Sequence, residues 1–144
     1  MNIDALVRRL GWIAIALVIF WLYQPVLDAP FVYDDKIEVI GNTTIRFLQE
    51  WQAILLYNVS RAMLLLSYAI NFHYSAEDPT GYHLTNIAIH ALTVGAGVLM
   101  AESIGRLARL SRPLLAALVA GALWAIHPMG TEAVTYITGR SESL

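Results

Sequence analysis

LGWIAIALVIFWLYQPVL, residues 10–27, holds 18 positions without a charged side chain and follows directly on Arg8 and Arg9. The hydrocarbon core of a bilayer calls for about 20 apolar residues in helical form, so the run predicts a first membrane helix with paired arginines at its edge. A secretory signal peptide has the same outline, but Trp21, Tyr23, Gln24 and Pro25 make a poor small-residue cleavage site. The composition points the same way. Hydrophobic residues make up 58% of the 144 positions and charged ones 14%, and mean hydropathy is +0.58, whereas a soluble domain carries about a quarter charged residues.

Working outward, residues 84–104 form a second apolar segment, with Asn86, His90 and Glu102 set among small residues such as Gly95, Ala96 and Gly97 that let helices approach closely in lipid. Residues 113–127 form a third, which reaches spanning length only if it extends back toward Leu107 and lets Arg109 and Arg112 snorkel to the interface. Arg106, Arg109 and Arg112 join the second and third segments, and Arg8 and Arg9 precede the first. The positive-inside rule puts both clusters, and the N-terminus, in the cytoplasm. A further span over residues 52–72 would send the arginines of the connection outside and bury Arg61, so helices lying on the membrane surface are expected there. Leu48, Trp51, Leu55 and Val59 give them an apolar underside, with Gln49, Glu50 and Asn58 toward water.

The fold class is therefore all-α integral membrane, with about three transmembrane helices and surface-lying helices in the first exoplasmic loop. One membrane module is expected over residues 1–144: helix 10–27, exoplasmic loop 28–83, helix 84–104, cytoplasmic turn 105–112, helix 113–127 and exoplasmic tail 128–144. The net charge of −2 offers no basic footprint for nucleic acid, so the partners expected are membrane lipid and other membrane chains. Cysteine is absent, which removes disulfides and thiolate chemistry and leaves the redox compartment open.

Polar residues cluster on the face opposite the arginines. Asp34 and Asp35 are adjacent carboxylates just past the first helix, able to act as base or metal ligand, or to form a solvated acidic turn ending at Lys36. Arg61 follows, then Asn71 and His73, then His83, Asn86 and His90. Asn86 and His90 share one helical face, which suits a cavity lining or a helix-to-helix hydrogen bond equally. His90 could ligate a haem or chlorophyll, although no matching second ligand is visible. In the tail, Pro128 ends or kinks the third helix, and His127 and Glu132 could meet Asp34 and Asp35 in one pocket. Such a pocket would hold a divalent metal, or a phosphate with help from Arg61 and Arg140; the alternative for these residues is interface capping.

The strings FVYDD (31–35), YAIN (68–71) after Arg61, GYHLTNIAIHAL (81–92) and WAIHPMGTEAVTYITGRSESL (124–144) occur in an order that resembles the transmembrane and tetratricopeptide-repeat O-mannosyltransferases and their bacterial relatives. The resemblance covers residues 25–144. It implies a C-type glycosyltransferase fold and transfer of a mannose-like sugar from a polyprenyl-phosphate donor to a Ser or Thr hydroxyl on the exoplasmic side. Carried over, Asp34 or Asp35 is the general base, Arg61, His83, Asn86, His90, His127 and Arg140 serve donor phosphate or substrate, and Glu132 orients the acceptor or a metal. Two departures stand out: Ala62 replaces the proline that commonly follows the arginine, and residue 144 falls inside the resemblance with no helical repeat present. The chain is thus expected to be incomplete relative to the family, or a non-catalytic subunit of a larger membrane complex. A bacterial inner membrane is the preferred location, the endoplasmic reticulum the alternative. Asn42-Thr43-Thr44 and Asn58-Val59-Ser60 fit the N-glycosylation pattern.

Overall fold

The computed structural model describes residues 3–143, and every regular element among them is helical. Helix α1, Ile3–Tyr23, starts before the expected position 10 and takes Arg8 and Arg9 into its first turns. It ends where Pro25 opens a 3-10 turn, Gln24–Val26. The intervening segment folds into short turns and two helices, α2 (Trp51–Tyr57) and α3 (Ala62–Ser75). Helix α4, Pro79–Leu107, outruns the expected 84–104 at both ends. Its start follows from local chemistry: Asp78 accepts the Thr80 N–H at 3.0 Å, and Pro79 sits at the first position, where a missing N–H costs nothing. After α5, Pro113–Ala125, the chain bends by 58° into α6, Thr131–Thr135. His127 takes an extended conformation there, as a residue before proline prefers.

Segments Asp4–Val26 and Pro79–Leu107 are long and apolar enough to cross a membrane, and the bent pair around Pro128 makes a third if counted as one span. The protein is an all-α membrane protein.

Two apolar cores divide the molecule. The first joins α1, α4 and α5 through Ile15, Ile19, Ile87, Val94, Val98 and Leu118. Glycines allow the helices this approach: a Cβ on Gly97 would overlap the Trp124 ring, and one on Gly121 would overlap Val98. The second core lies in the connection between α1 and α4, where Val39, Ile45, Ile54, Leu65 and Tyr68 are buried with Tyr82 and Ile137. The 28–83 region is therefore a packed cap over one end of the bundle.

At the other end Glu102, on α4, takes Arg8 Nη1 and Nη2 on its two oxygens at 2.7 Å each. It also accepts from Arg106 Nη2 at 2.6 Å. An acid inside an apolar helix needs such partners, and the ion pair pins the start of α1 to the end of α4.

Candidate functional site

The adjacent acids Asp34 and Asp35 are split by the backbone. Tyr33 adopts φ 44, the left-handed region, and opens a helical turn in which Asp34 and Asp35 are successive residues, so their side chains project about 100° apart. Asp35 is buried. Its Oδ1 accepts both the N–H and the hydroxyl of Thr138, each at 2.9 Å, and its Oδ2 accepts the Val32 N–H at 3.2 Å. Asp34 is exposed and lines a cavity of about 360 Å³ with Tyr33, Arg61, Glu132, Tyr136 and Glu142.

Each wall of this cavity has a local cause. Arg61 opens α3 and is held by Glu38 at 3.0 Å, so its guanidinium is oriented by a second acid behind it. Glu132 lies in the first turn of α6, which the bend at Pro128 brings across the bundle end. Thr138 is carried by the 3-10 turn Thr138–Glu142. That turn packs on α6 so closely that a Cβ on Gly139 would overlap the Glu132 carbonyl. Tyr33 and Tyr136 stand beside each other, ring centroids 6.5 Å apart.

Of the residues expected to serve substrate, the structure brings Arg61 and Glu132 to Asp34 and directs the others elsewhere. Arg140 is fully buried. Its Nε donates to Asn86 Oδ1 at 2.7 Å, Nη1 to Ser67 Oγ at 2.8 Å and Nη2 to the Tyr82 carbonyl at 3.1 Å, and it lies over the Tyr68 ring, 4.9 Å from its centroid. Burial pushes the guanidinium down to about 10, which leaves it charged at neutral pH. Arg140 thus fastens the tail to α3 and α4 instead of facing a donor phosphate. Asn86 completes the joint by donating to the Tyr136 carbonyl at 2.9 Å. Its helix partner was expected to be a cavity or a neighbouring helix; it is the tail backbone.

His83 and His90 are buried. They pair through Nε2 with the carbonyls of Ala29 at 3.0 Å and Ala125 at 3.2 Å. These contacts join α4 to the segment after α1 and to the end of α5, and occupy Nε2 of each ring. His127 is exposed and caps the Pro128 turn, its Nδ1 accepting the Met129 N–H at 3.2 Å. It does not line the Asp34 cavity. No group of three or more His, Asp or Glu side chains disposed to hold a metal ion occurs among the described residues. Asn42 and Asn58, the two glycosylation-type asparagines, line a neighbouring cavity of about 470 Å³ that also includes Glu38 and Arg61.

Three participants escaped the sequence reading. Thr138, Tyr136 and Glu142 lie within the quoted tail string, but nothing in their spacing marks Thr138 as the partner of an acid 103 positions earlier.

The cavity carries Asp34, Glu132 and Glu142 against Arg61. Such a set favours accepting a proton or holding a neutral, hydroxyl-bearing group, with one cation able to meet a developing negative charge.

Comparison with known proteins gives consistent relatives. Protein O-mannosyl-transferase Tmtc1 of Drosophila melanogaster is 33% identical over 136 residues, which is 85% of this chain and 15% of that protein. Protein O-mannosyl-transferase tmtc2 of Xenopus laevis is 30% identical over 138 residues, 84% of this chain and 15% of the relative. For human TMTC4 the figures are 30% over 143 residues, 81% and 19%. The chain therefore spans under a fifth of the length of these relatives. No protein-family model matches it, and no solved structure does.

Proposed function

We propose, because the chain is a TMTC-like segment related over most of its length to protein O-mannosyl-transferases, that it forms the base-bearing face of a membrane glycosyltransferase. The donor is a mannose-like sugar on a polyprenyl phosphate and the acceptor a Ser or Thr hydroxyl, met on the exoplasmic side. The arginine clusters at Arg8–Arg9 and Arg106–Arg112 then face the cytoplasm together with the N-terminus.

One observation carries the reading: of two adjacent acids, only Asp34 opens into a cavity beside a cation. A neutral hydroxyl is a weak nucleophile. Asp34 accepts the acceptor's proton as its oxygen forms the bond to the anomeric carbon. The bond from that carbon to the phosphate oxygen breaks in the same step, and the phosphate leaves with the electron pair. Arg61, oriented by Glu38 at 3.0 Å, stabilises the charge that grows on it. Glu132 receives the acceptor backbone or hydroxyl from the opposite wall.

The test is transfer of labelled mannose from polyprenyl-phosphate mannose to a Thr-containing peptide in membranes holding the chain. Asp34→Asn should lower the rate by about 10²–10⁴-fold, the usual worth of a positioned base, while His127→Ala leaves it unchanged. Full activity of Asp34→Asn would sink the assignment. Stoichiometric binding of the chain to an unrelated membrane complex would favour a non-catalytic subunit.

A further inference from the structure

The opposite end of the bundle holds a second charged cavity, of about 520 Å³, between the start of α1 and the α4–α5 connection. Arg8, Arg106 and Arg112 line it together with Asp4 and Ser111. Glu102 fixes Arg8 and Arg106 from behind, yet it engages only part of each guanidinium's fork of N–H donors. Arg112 is exposed and makes no ion pair or hydrogen bond through its side chain with another described residue. Three guanidiniums stand against the carboxylates of Asp4 and Glu102, and the surplus positive charge sits on Arg112.

The other wall is apolar, formed by Val7, Leu114 and Leu115, and Leu115 is 47% exposed. The cavity also lies where the candidate span Asp4–Val26 begins and the span Pro79–Leu107 ends, which is the depth of lipid headgroups. A cationic wall, a hydroxyl and an apolar wall at that depth suit a molecule with a phosphate at one end and hydrocarbon at the other. We propose that this cavity binds the phosphate of an anionic membrane lipid, with an acyl chain laid against Leu114 and Leu115. The site is separate from the Asp34 cavity and does not depend on glycosyl transfer.

The test uses the chain in bilayer discs of phosphatidylcholine, with or without phosphatidylglycerol. Lipid retained after detergent transfer is counted by native mass spectrometry, and thermal unfolding is followed in parallel. The intact chain should retain phosphatidylglycerol over phosphatidylcholine and unfold at a higher temperature when it is present. Arg112→Gln should lower that retention about tenfold, the usual worth of a charge-assisted hydrogen bond to a phosphate, without changing unfolding in pure phosphatidylcholine. Arg109→Gln removes the same charge outside the cavity and should leave retention nearly intact. Equal losses in the two variants would show diffuse surface attraction and overturn the site, as would indifference to phosphatidylglycerol. Equal protection by inorganic phosphate in detergent would show a soluble anion as occupant and overturn the lipid assignment.

Discussion

Thr138 gives both its backbone N–H and its hydroxyl to one oxygen of Asp35, Oδ1, at 2.9 Å each. The contact ties the turn after α1 to the tail beyond α6 and so closes the Asp34 cavity. Because Asp35 is buried, removing its charge leaves these donors with a weaker acceptor. Asp35→Asn should lower stability by about 1–3 kcal/mol, whereas Asp34→Asn, at an exposed position, should stay within about 0.5 kcal/mol. Thermal unfolding of the two variants in detergent separates the roles, and a Thr138→Val, Asp35→Asn double-mutant cycle should show coupling of about 0.5–3 kcal/mol.

Tyr33, just before the two acids, carries a strained backbone. At φ 44 a side chain meets the following carbonyl, at a cost of about 1–2 kcal/mol for an L-residue. Tyr33→Gly should therefore be neutral or stabilising, with some gain offset by the lost contact to Tyr136. Tyr33→Val should destabilise, because a β-branched side chain tolerates the left-handed region least. Thermal unfolding in detergent checks both.

Arg140 contributes through burial. Truncation to Ala would leave the Asn86 and Ser67 oxygens and the Tyr82 carbonyl without their donor, at about 1–3 kcal/mol for each unsatisfied group. Arg140→Ala should fail to fold stably. Arg140→Lys should recover little, since an ammonium cannot reproduce a planar fork reaching separate acceptors. Proteolytic resistance of the tail is the direct readout.

How far these relations are legible from sequence depends on which force sets them. Long, mostly apolar runs mark α1, α4 and α5, because lipid solubility is a property of composition. Their glycines likewise announced close helix contacts. The cap was less legible: the spacing of Leu48, Trp51, Leu55 and Val59 marks an apolar face of which Trp51 and Val59 stay exposed, whereas the buried Val39, Ile45 and Ile54 sit in short turns and one seven-residue helix and meet only in three dimensions. The Asp-Asp pair reads as one unit, but in helical conformation its two members project to different sides, Asp35 inward and Asp34 outward. Arg140, in a Gly-Arg-Ser-Glu string, reads as a cation for a donor phosphate, but it is buried against Asn86 and Ser67 on two other helices. Glu102 had one local clue, Arg106 a turn later, but Arg8 is 94 positions away.

That ion pair sets a stability prediction of its own. Glu102 is almost fully enclosed, its side chain 6% exposed, and Arg8 and Arg106 both depend on it. Glu102→Ala should loosen the start of α1, while Arg8 and Arg106, with side chains 36% and 64% exposed, turn to water and keep the loss well below that of a stranded buried charge. The damage should appear as faster cleavage near the start of α1 after limited proteolysis in detergent. Unchanged protection would show that α1 is held by the apolar core alone.

Gly97 and Trp124 offer the sharpest test of packing in the bundle. The indole occupies the space a Cβ at residue 97 would need, so Gly97→Ala forces α4 and α5 apart. Overpacking of this kind costs about 1–3 kcal/mol. Trp124→Leu alone should also destabilise, by leaving a void. Combined, the two changes fill and empty the same space, so the double variant should be more stable than the sum of the single losses predicts. Simple additivity in thermal unfolding would mean that α4 and α5 are not in contact at this point.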